Sequence, residues 1–494
     1  MTTLAELIAR GRLVEACAPW PRAVVDRRTW RAAISGLADK RWSLMGLWGE
    51  PDQVHMALLD PAAATPAVLS LRCPEGHFPS VGLHHAPAIR LERAVRDLTG
   101  LEPEGAADTR PWLDHGRWPL SRPQGGAPYA FLRSEGEGLH QIPVGPVHAG
   151  IIEPGHFRFT ANGETVVRLE ARLGYAHRGL ESLMAGAPLD HAARLAGRAS
   201  GDSTVAYALA FSRAAEAALG VEVPARAHWL RALMAEVERV ANHLGDIGAV
   251  CNDAAFALMH AHMGVLRERT LKAASTAFGH RLMMDRVIPG GVAVDLDGPG
   301  AAALRAHVAQ VRKRLPALFA LYDETASLQD RTVKTGLLSR ELAQAYAAGG
   351  YVGRASGRPF DARRALPYPP YPLLTFKVPV LEEGDVDARV RIRFAEVEQS
   401  LGLIEQILGQ APYGKVNITL GAGAGEGLAV VEGFRGDVLA WVRLRADGRV
   451  DQARLRDPSW FQWPLLEAAI EGNIVADFPL CNKSFNCAYA GCDL

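Results

Sequence analysis

The chain has 494 residues, enough for two or three domains with a sizeable core, and its 54 Lys+Arg balance its 54 Asp+Glu. A formal net charge of zero supplies no basic field for a nucleic-acid partner. Apolar residues make up 48% and charged residues 22%, an ordinary globular balance, with no apolar run approaching the roughly 18 residues of a bilayer span.

The N-terminal stretch carries Glu6, Arg10 and Arg12 where a secretory signal would be apolar. The chain's six cysteines are too few for a disulfide scaffold of this length, so a reducing, cytoplasmic setting is expected. Residues 1–125 read as a separate unit with a helix on which Ile89, Leu91, Val95 and Leu98 recur at helical spacing. His77, His84 and His85 lack Cys or carboxylate ligands at fixed spacing and read as surface or interface residues. The Pro-, Gly- and Trp-rich segment 108–128 suits a crossing connection, and 126–144 a linker.

From Gly145 the pattern changes. A loop carries His148 and His156, then Phe157 and Phe159 alternate toward Asn162-Gly163, and a second strand runs through Val167, Leu169 and Ala171. That pattern predicts a hairpin. The strand leads into GYAHRGLE, where a helix would put His177 and Glu181 on one face, and Arg178 and Glu181 likewise. Helices are then predicted over 228–250, 252–287 and 301–324, the last kinked at Pro316. On the first, Leu230, Leu233, Val237, Val240, Leu244 and Ile247 form an apolar face, whereas Glu236, Arg239 and His243 predict a solvated one with local ion pairs. Together these suggest a bundle.

Residues 328–371 read as an irregular, charge-rich loop with Arg354, Ser356, Asp361, Arg363 and Arg364, running over the surface or along a cleft. A helix follows over 390–408. The run GAGAGEG lacks the Lys-Ser/Thr of a phosphate loop. Residues 428–456 read as a two-stranded hairpin turning at Ala446-Asp447-Gly448. Cys481, Cys487 and Cys492 near the C-terminus form no CxxC and read as packed or free thiols. The fold class expected is α+β: an N-terminal α/β domain, then a mainly helical bundle domain with small antiparallel sheets, over 145–494.

From about residue 140 onward the chain resembles the large subunit shared by respiratory complex I, its 49 kDa subunit, and the group 4, energy-converting nickel–iron hydrogenases of the formate hydrogenlyase and hydrogenase-4 type. The matching stretches include GPVHAG, GETVVRLEARLGYAHRGLESLM, RALMAEVERVANHL, HRLMMDRVIPGGVAVDL, GRASGRPFDARRALPYPPY, VEGFRGD and DPSWFQ. Residues 78–104 resemble the 30 kDa subunit of complex I, which some of these enzymes carry fused in this order.

A nickel–iron site takes four thiolates, from an N-terminal RxCGxC and a C-terminal CxxC, and soft ligands are what hold that centre. Here the first motif runs from Arg194 with Ala196 and Ala199 at its ligand positions. The second, SFNCAYAGCD, places Ala488 and Gly491 there, with Cys487 and Cys492 one residue outside. The resemblance therefore implies no nickel and no cofactor held by this chain itself, a 4Fe-4S cluster in a partner subunit, and a quinone as candidate occupant of the emptied cavity. Complex I uses a His of its GPxHPxxHG loop and a Tyr after the HRGxE helix for quinone; His148 and His156 are kept, and no tyrosine stands before Tyr207 in the second region. Nickel-free, energy-converting hydrogenase-related complexes fit the fused arrangement.

By resemblance Arg178 lies beside the partner's cluster, Glu181 relays protons with His177 nearby, His148 and His156 line the cavity, and Asp361, Arg363 and Arg364 organise its wall. The partners implied are an iron–sulfur small subunit, a ferredoxin-like subunit and antiporter-like membrane subunits, on the cytoplasmic side of the inner membrane as a peripheral subunit. A non-catalytic coupling adaptor and a hydrogenase with displaced ligands are the alternatives.

Overall fold

The computed structural model describes residues 2–116, 118, 129–148, 150 and 152–494. Residues 119–128 of the crossing segment, which include the start of the predicted linker, and Ala149 of GPVHAG lie outside the described residues. Among the described residues three larger sheets, two two-stranded ones and a helical bundle make up the fold, an α+β architecture as expected.

The first sheet has five strands in the order Arg12–Leu13, Arg22–Val25, Thr65–Arg72, Gln53–Asp60, Ser43–Glu50, with the helices Arg27–Ala38 and Ile89–Thr99 packed on it. The second has three strands, Thr165–Arg172, His156–Asn162 and Leu139–Val144. The third is Val450–Arg456, Gly436–Leu444 and Gly425–Gly433, and the short strand Cys17–Ala18 joins its edge in parallel. The N-terminal residues are therefore tied to a sheet formed some 400 residues later. Arg22 donates twice to the Glu426 carboxylate, at 2.7 Å each. His55 packs against both Trp48 and Trp441, with centroids 5.3 and 5.7 Å away.

The bundle is formed by Ala225–Asp253, Ala257–Phe278, Gly298–Glu324 and Val386–Gln410. Leu233, Leu244, Ile247, Met263, Val311 and Leu401 are among the residues of its core. The last helix is capped by Asp385, whose carboxylate accepts from Ala388 N at 2.7 Å and from Lys334 N at 2.8 Å. Asp385→Ala is expected to lower stability by about 1–2 kcal/mol, read as a shift in the unfolding midpoint with unchanged slope. In the GAGAGEG run, Gly425 and Gly427 let the helix Thr204–Leu219 lie directly on the strand. A Cβ at either would come within 2.0 or 1.8 Å of the carbonyls of Ala218 and Ala214.

Several local expectations are corrected. The hairpin after His156 forms, but its two-residue turn is Gly163-Glu164, because Asn162 pairs with Thr165 and only Gly163 has a positive φ, 56°. The second bundle helix spans Ala257–Phe278, shorter than the 252–287 expected, and is capped by Gly279, left-handed at φ 72°. Residues 425–456 form three strands, since Phe434-Arg435 makes an additional turn. The supposed loop 328–371 holds short helices, including Gly350–Ala355 and Ala362–Ala365, and Arg354, Ser356, Asp361 and Arg363 in it are buried.

Candidate functional site

The strand Thr165–Arg172 delivers the chain to Gly174, whose φ of 91° suits glycine and whose Cβ would strike the Trp112 and Leu113 carbonyls. Asp493 then holds the turn: its carboxylate accepts from Gly174 N and Ala176 N, both at 2.9 Å. Burial pushes Asp493 up to about 6 in spite of these bonds. His177 Nδ1 donates to the backbone carbonyl of Asp493 at 2.6 Å, and the Arg178 N–H donates to the Leu494 carbonyl at 2.7 Å.

The helix begins only at Leu180, because Gly179 sits in the left-handed region at φ 67°. His177 and Arg178 therefore lie in the turn before it, and the predicted shared helix face does not form. Tertiary folding still brings His177 and Glu181 together: both line one cavity, with Asp493 and Arg454. Glu181 Oε1 accepts from Leu455 N at 2.8 Å, and Oε2 stands 3.4 Å from Arg454. Burial raises the Glu181 pKa, and Arg454 and the Leu455 N–H only partly oppose it. Arg178 is exposed, with its guanidinium fixed by the carbonyls of Arg198 and Ala199, each at 2.9 Å.

The two loop histidines sit apart from that cavity. His148 Nε2 donates to the Gly155 carbonyl at 2.8 Å, and its ring packs on Phe157. His156 Nδ1 donates to the Gly145 carbonyl at 3.3 Å while its Nε2 accepts from Arg158 at 3.3 Å. Burial lowers the His156 pKa, which suits the neutral tautomer those bonds require. Beside this loop lies a second cleft of about 320 Å³, lined by Glu153, Asp202, Arg435, Lys483, Asn486 and Tyr489.

At the positions where the hydrogenase motif carries thiolates, Ala196, Ala199 and Ala488 are buried. A Cβ on Gly491 would meet Asp457 Oδ2 at 2.6 Å and the Tyr207 hydroxyl at 2.8 Å. Those two atoms are already bonded, Tyr207 donating to Asp457 at 2.5 Å, and both residues are buried. Cys481, Cys487 and Cys492 are free and buried, and burial pushes the Cys481 thiol up to about 11 and the other two higher still.

Asp361 and Arg363, expected at the cavity wall with the histidines, lie instead in a buried charge network inside the bundle. Arg363 pairs with Asp361 at 2.6 Å and with Glu236 at 2.9 Å. Glu236 also accepts from Tyr371 and Ser400, at 2.7 Å each. Arg354 bridges Glu396 and Glu432 at 2.7 and 2.9 Å, and His243 reaches Glu396 at 2.8 Å. The face predicted as solvated is thus the most polar part of the interior: Glu236, Arg239 and His243 are 0%, 1% and 0% exposed. Arg364 points away, exposed, and donates to the Phe376 carbonyl.

Tyr207, Asp457 and the bidentate Arg435–Asp202 pair, at 2.7 and 2.6 Å, were not singled out from the sequence as site residues. A signal existed in part, since Arg435 and Asp457 fall in VEGFRGD and DPSWFQ. What hid them is distance along the chain: 250 residues separate Tyr207 from Asp457.

Residues 253–422 match the family described as respiratory-chain NADH dehydrogenase, 49 Kd subunit, and residues 178–245 the family described as nickel-dependent hydrogenase. Formate hydrogenlyase subunit 5 of Escherichia coli K12 is 30% identical over 443 residues, which cover 84% of this chain and 77% of that protein. An NADH-quinone oxidoreductase subunit of Roseiflexus sp. RS-1 is 31% identical over 356 residues, 68% of this chain and 94% of that protein. Among solved structures, a chain of the membrane-bound sulfane sulfur reductase, an archaeal respiratory membrane complex, matches with a TM-score of 0.68. That chain is 28% identical, and the match covers 72% of this chain and 99% of that one. The likeness reaches both branches and spans most of each relative, so this chain belongs to the family of large subunits shared by the group 4 hydrogenases and the 49 kDa subunit of complex I.

Proposed function

We propose that this chain is the large subunit of a membrane-associated, energy-converting oxidoreductase complex that works without nickel. One observation carries the proposal: the His177–Arg178–Glu181 turn is firmly held, by Asp493 and by the carbonyls of residues 198 and 199, while the four thiolate positions are Ala196, Ala199, Ala488 and Gly491. The residues present do not fit a nickel–iron centre. They offer no soft ligand at any of the four positions, and the Tyr207–Asp457 bond fills the space beside Gly491.

On this reading Arg178 presents a fixed cation to a 4Fe-4S cluster of an iron–sulfur small subunit, where positive charge favours the reduced state. Glu181, whose neutral form burial favours, takes up and passes a proton toward antiporter-like membrane subunits. A ferredoxin-like subunit supplies electrons. The chain sits peripherally on the cytoplasmic side of the inner membrane; among the described residues no helix is long and apolar enough to cross one. In the purified, membrane-reconstituted complex, Glu181→Gln is expected to abolish ion movement while electron transfer persists. Unchanged ion movement per electron would overturn the role of Glu181.

A second reading, a non-catalytic coupling adaptor, draws on the engagement of both His156 ring nitrogens within the chain and on the buried, protonated cysteines. A complex that turns over no quinone, proton or soluble carrier selects it.

A further inference from the structure

Glu181 forms part of the wall of a cavity of about 120 Å³. The opposite wall comes from the N-terminal residues: Gly46, Leu47 and Trp48 on the strand Ser43–Glu50, and Ala94, Val95 and Leu98 on the helix Ile89–Thr99. That volume is room for several waters. Water needs polar partners as well as room, and Glu181 supplies one. Glu181 Oε2 has just Arg454 at 3.4 Å, whereas Oε1 is already taken by Leu455 N.

The other ionisable groups in the cavity lining are His177, Arg454, Arg456 and Asp493, with the Cys492 thiol. Asp493 is engaged by Gly174 N and Ala176 N, and Arg456 by the Met45 carbonyl and by Asp437. From the strand Ser43–Glu50, the helix Ile89–Thr99, Leu113, Leu439 and Trp460 no titratable side chain enters the lining. That wall carries no charge. Leu98 on it is 38% exposed, so the cavity approaches the surface there.

We infer that this cavity is a hydrated antechamber through which Glu181 exchanges its proton with solvent, closed on one side by the N-terminal strand and helix. The inference deepens the proton-carrying reading of Glu181 and rests on it. Gly46 is the place to test it. The strand register shifts between Leu44 and Gly46, and a Cβ at Gly46 would meet only the Trp48 ring at 3.8 Å and Arg456 Cγ at 4.0 Å. A Cβ is therefore accommodated at Gly46, so Gly46→Leu extends a side chain from this wall of the cavity, and Leu98→Trp narrows the rim at a position that is already partly exposed.

The measurement is infrared-detected hydrogen–deuterium exchange of the Glu181 carboxylic acid in the purified complex, with the band identified by its loss in Glu181→Gln. In the unaltered protein the acid band should shift within the mixing time on transfer to heavy water. In Gly46→Leu and Leu98→Trp it should exchange about tenfold more slowly or worse, with the starting band unmoved. If Gly46→Leu does not fold, Leu98→Trp decides alone. Exchange at the unaltered rate in the folded variants overturns the antechamber and leaves the proton-carrying reading intact. Absence of any Glu181 acid band across the pH range in which the complex stays intact overturns that reading, and the antechamber with it.

Discussion

Arg363→Ala is expected to remove about 3–5 kcal/mol of stability, seen as a fall in the denaturant midpoint. The reason is what it leaves behind. Arg363 is 2% exposed and is the cation nearest both Asp361 and Glu236. Burial alone would raise the Glu236 carboxyl, and Arg363 and Arg239 outweigh it. Asp361 is held at about 2 chiefly by Arg363 against the same burial. Without the guanidinium two carboxylates stand deep in the bundle with a weakened counter-charge.

The surrounding network is already short of positive charge. Arg239, Arg354 and Arg363 face Glu236, Asp361, Glu396 and Glu432, and His243 is kept neutral by burial. The excess is relieved at Glu432, which burial and Asp361 push up to about 7. A change at Arg363 therefore has no spare cation to draw on. By contrast, Arg194→Ala breaks a pair whose side chains are 59% and 70% exposed, and should stay within about 0.5 kcal/mol. A loss for Arg363→Ala no larger than for Arg194→Ala would show that the network does not hold the bundle together.

The same network marks the limit of what the sequence discloses. Apolar spacing placed the first bundle helix, and alternation around Asn162-Gly163 placed the hairpin, because both are local patterns. The fate of Glu236 and His243 depends on Arg363, 127 residues away, and on Glu396, 153 away, so helical spacing alone left them on a solvated face. In the same way nothing near Cys17 announces the strand at Gly425 that it joins. Family motifs bridged part of that gap, locating the His177–Glu181 turn and the missing thiolates, but motif spacing suggested a helix that Gly179 in fact delays. Arg363 and Asp361 were expected at a cavity wall and form a buried pair instead, since burial is not a local property of the sequence.

Gly491→Cys, the substitution that would restore one ligand position, is expected to cost about 2–5 kcal/mol. Its Cβ would have to enter space held by Asp457 Oδ2 at 2.6 Å and the Tyr207 hydroxyl at 2.8 Å. Neither neighbour is the loose end of a flexible side chain. Tyr207 is fully buried, and Asp457 also accepts from Ser459 N at 2.7 Å, which fixes its plane. The new side chain must therefore break the 2.5 Å Tyr207–Asp457 bond and strand a buried carboxylate, in addition to overpacking its surroundings. A double-mutant cycle separates the two costs. In a Tyr207→Phe background the bond is already gone and the hydroxyl no longer blocks the site, so Gly491→Cys should cost measurably less than in the unaltered protein. Strictly additive losses would mean that the two positions do not compete for the same space. With coupling of the expected sign, thiols placed at 196, 199, 488 and 491 together should still leave nickel unbound by elemental analysis while Tyr207 is present.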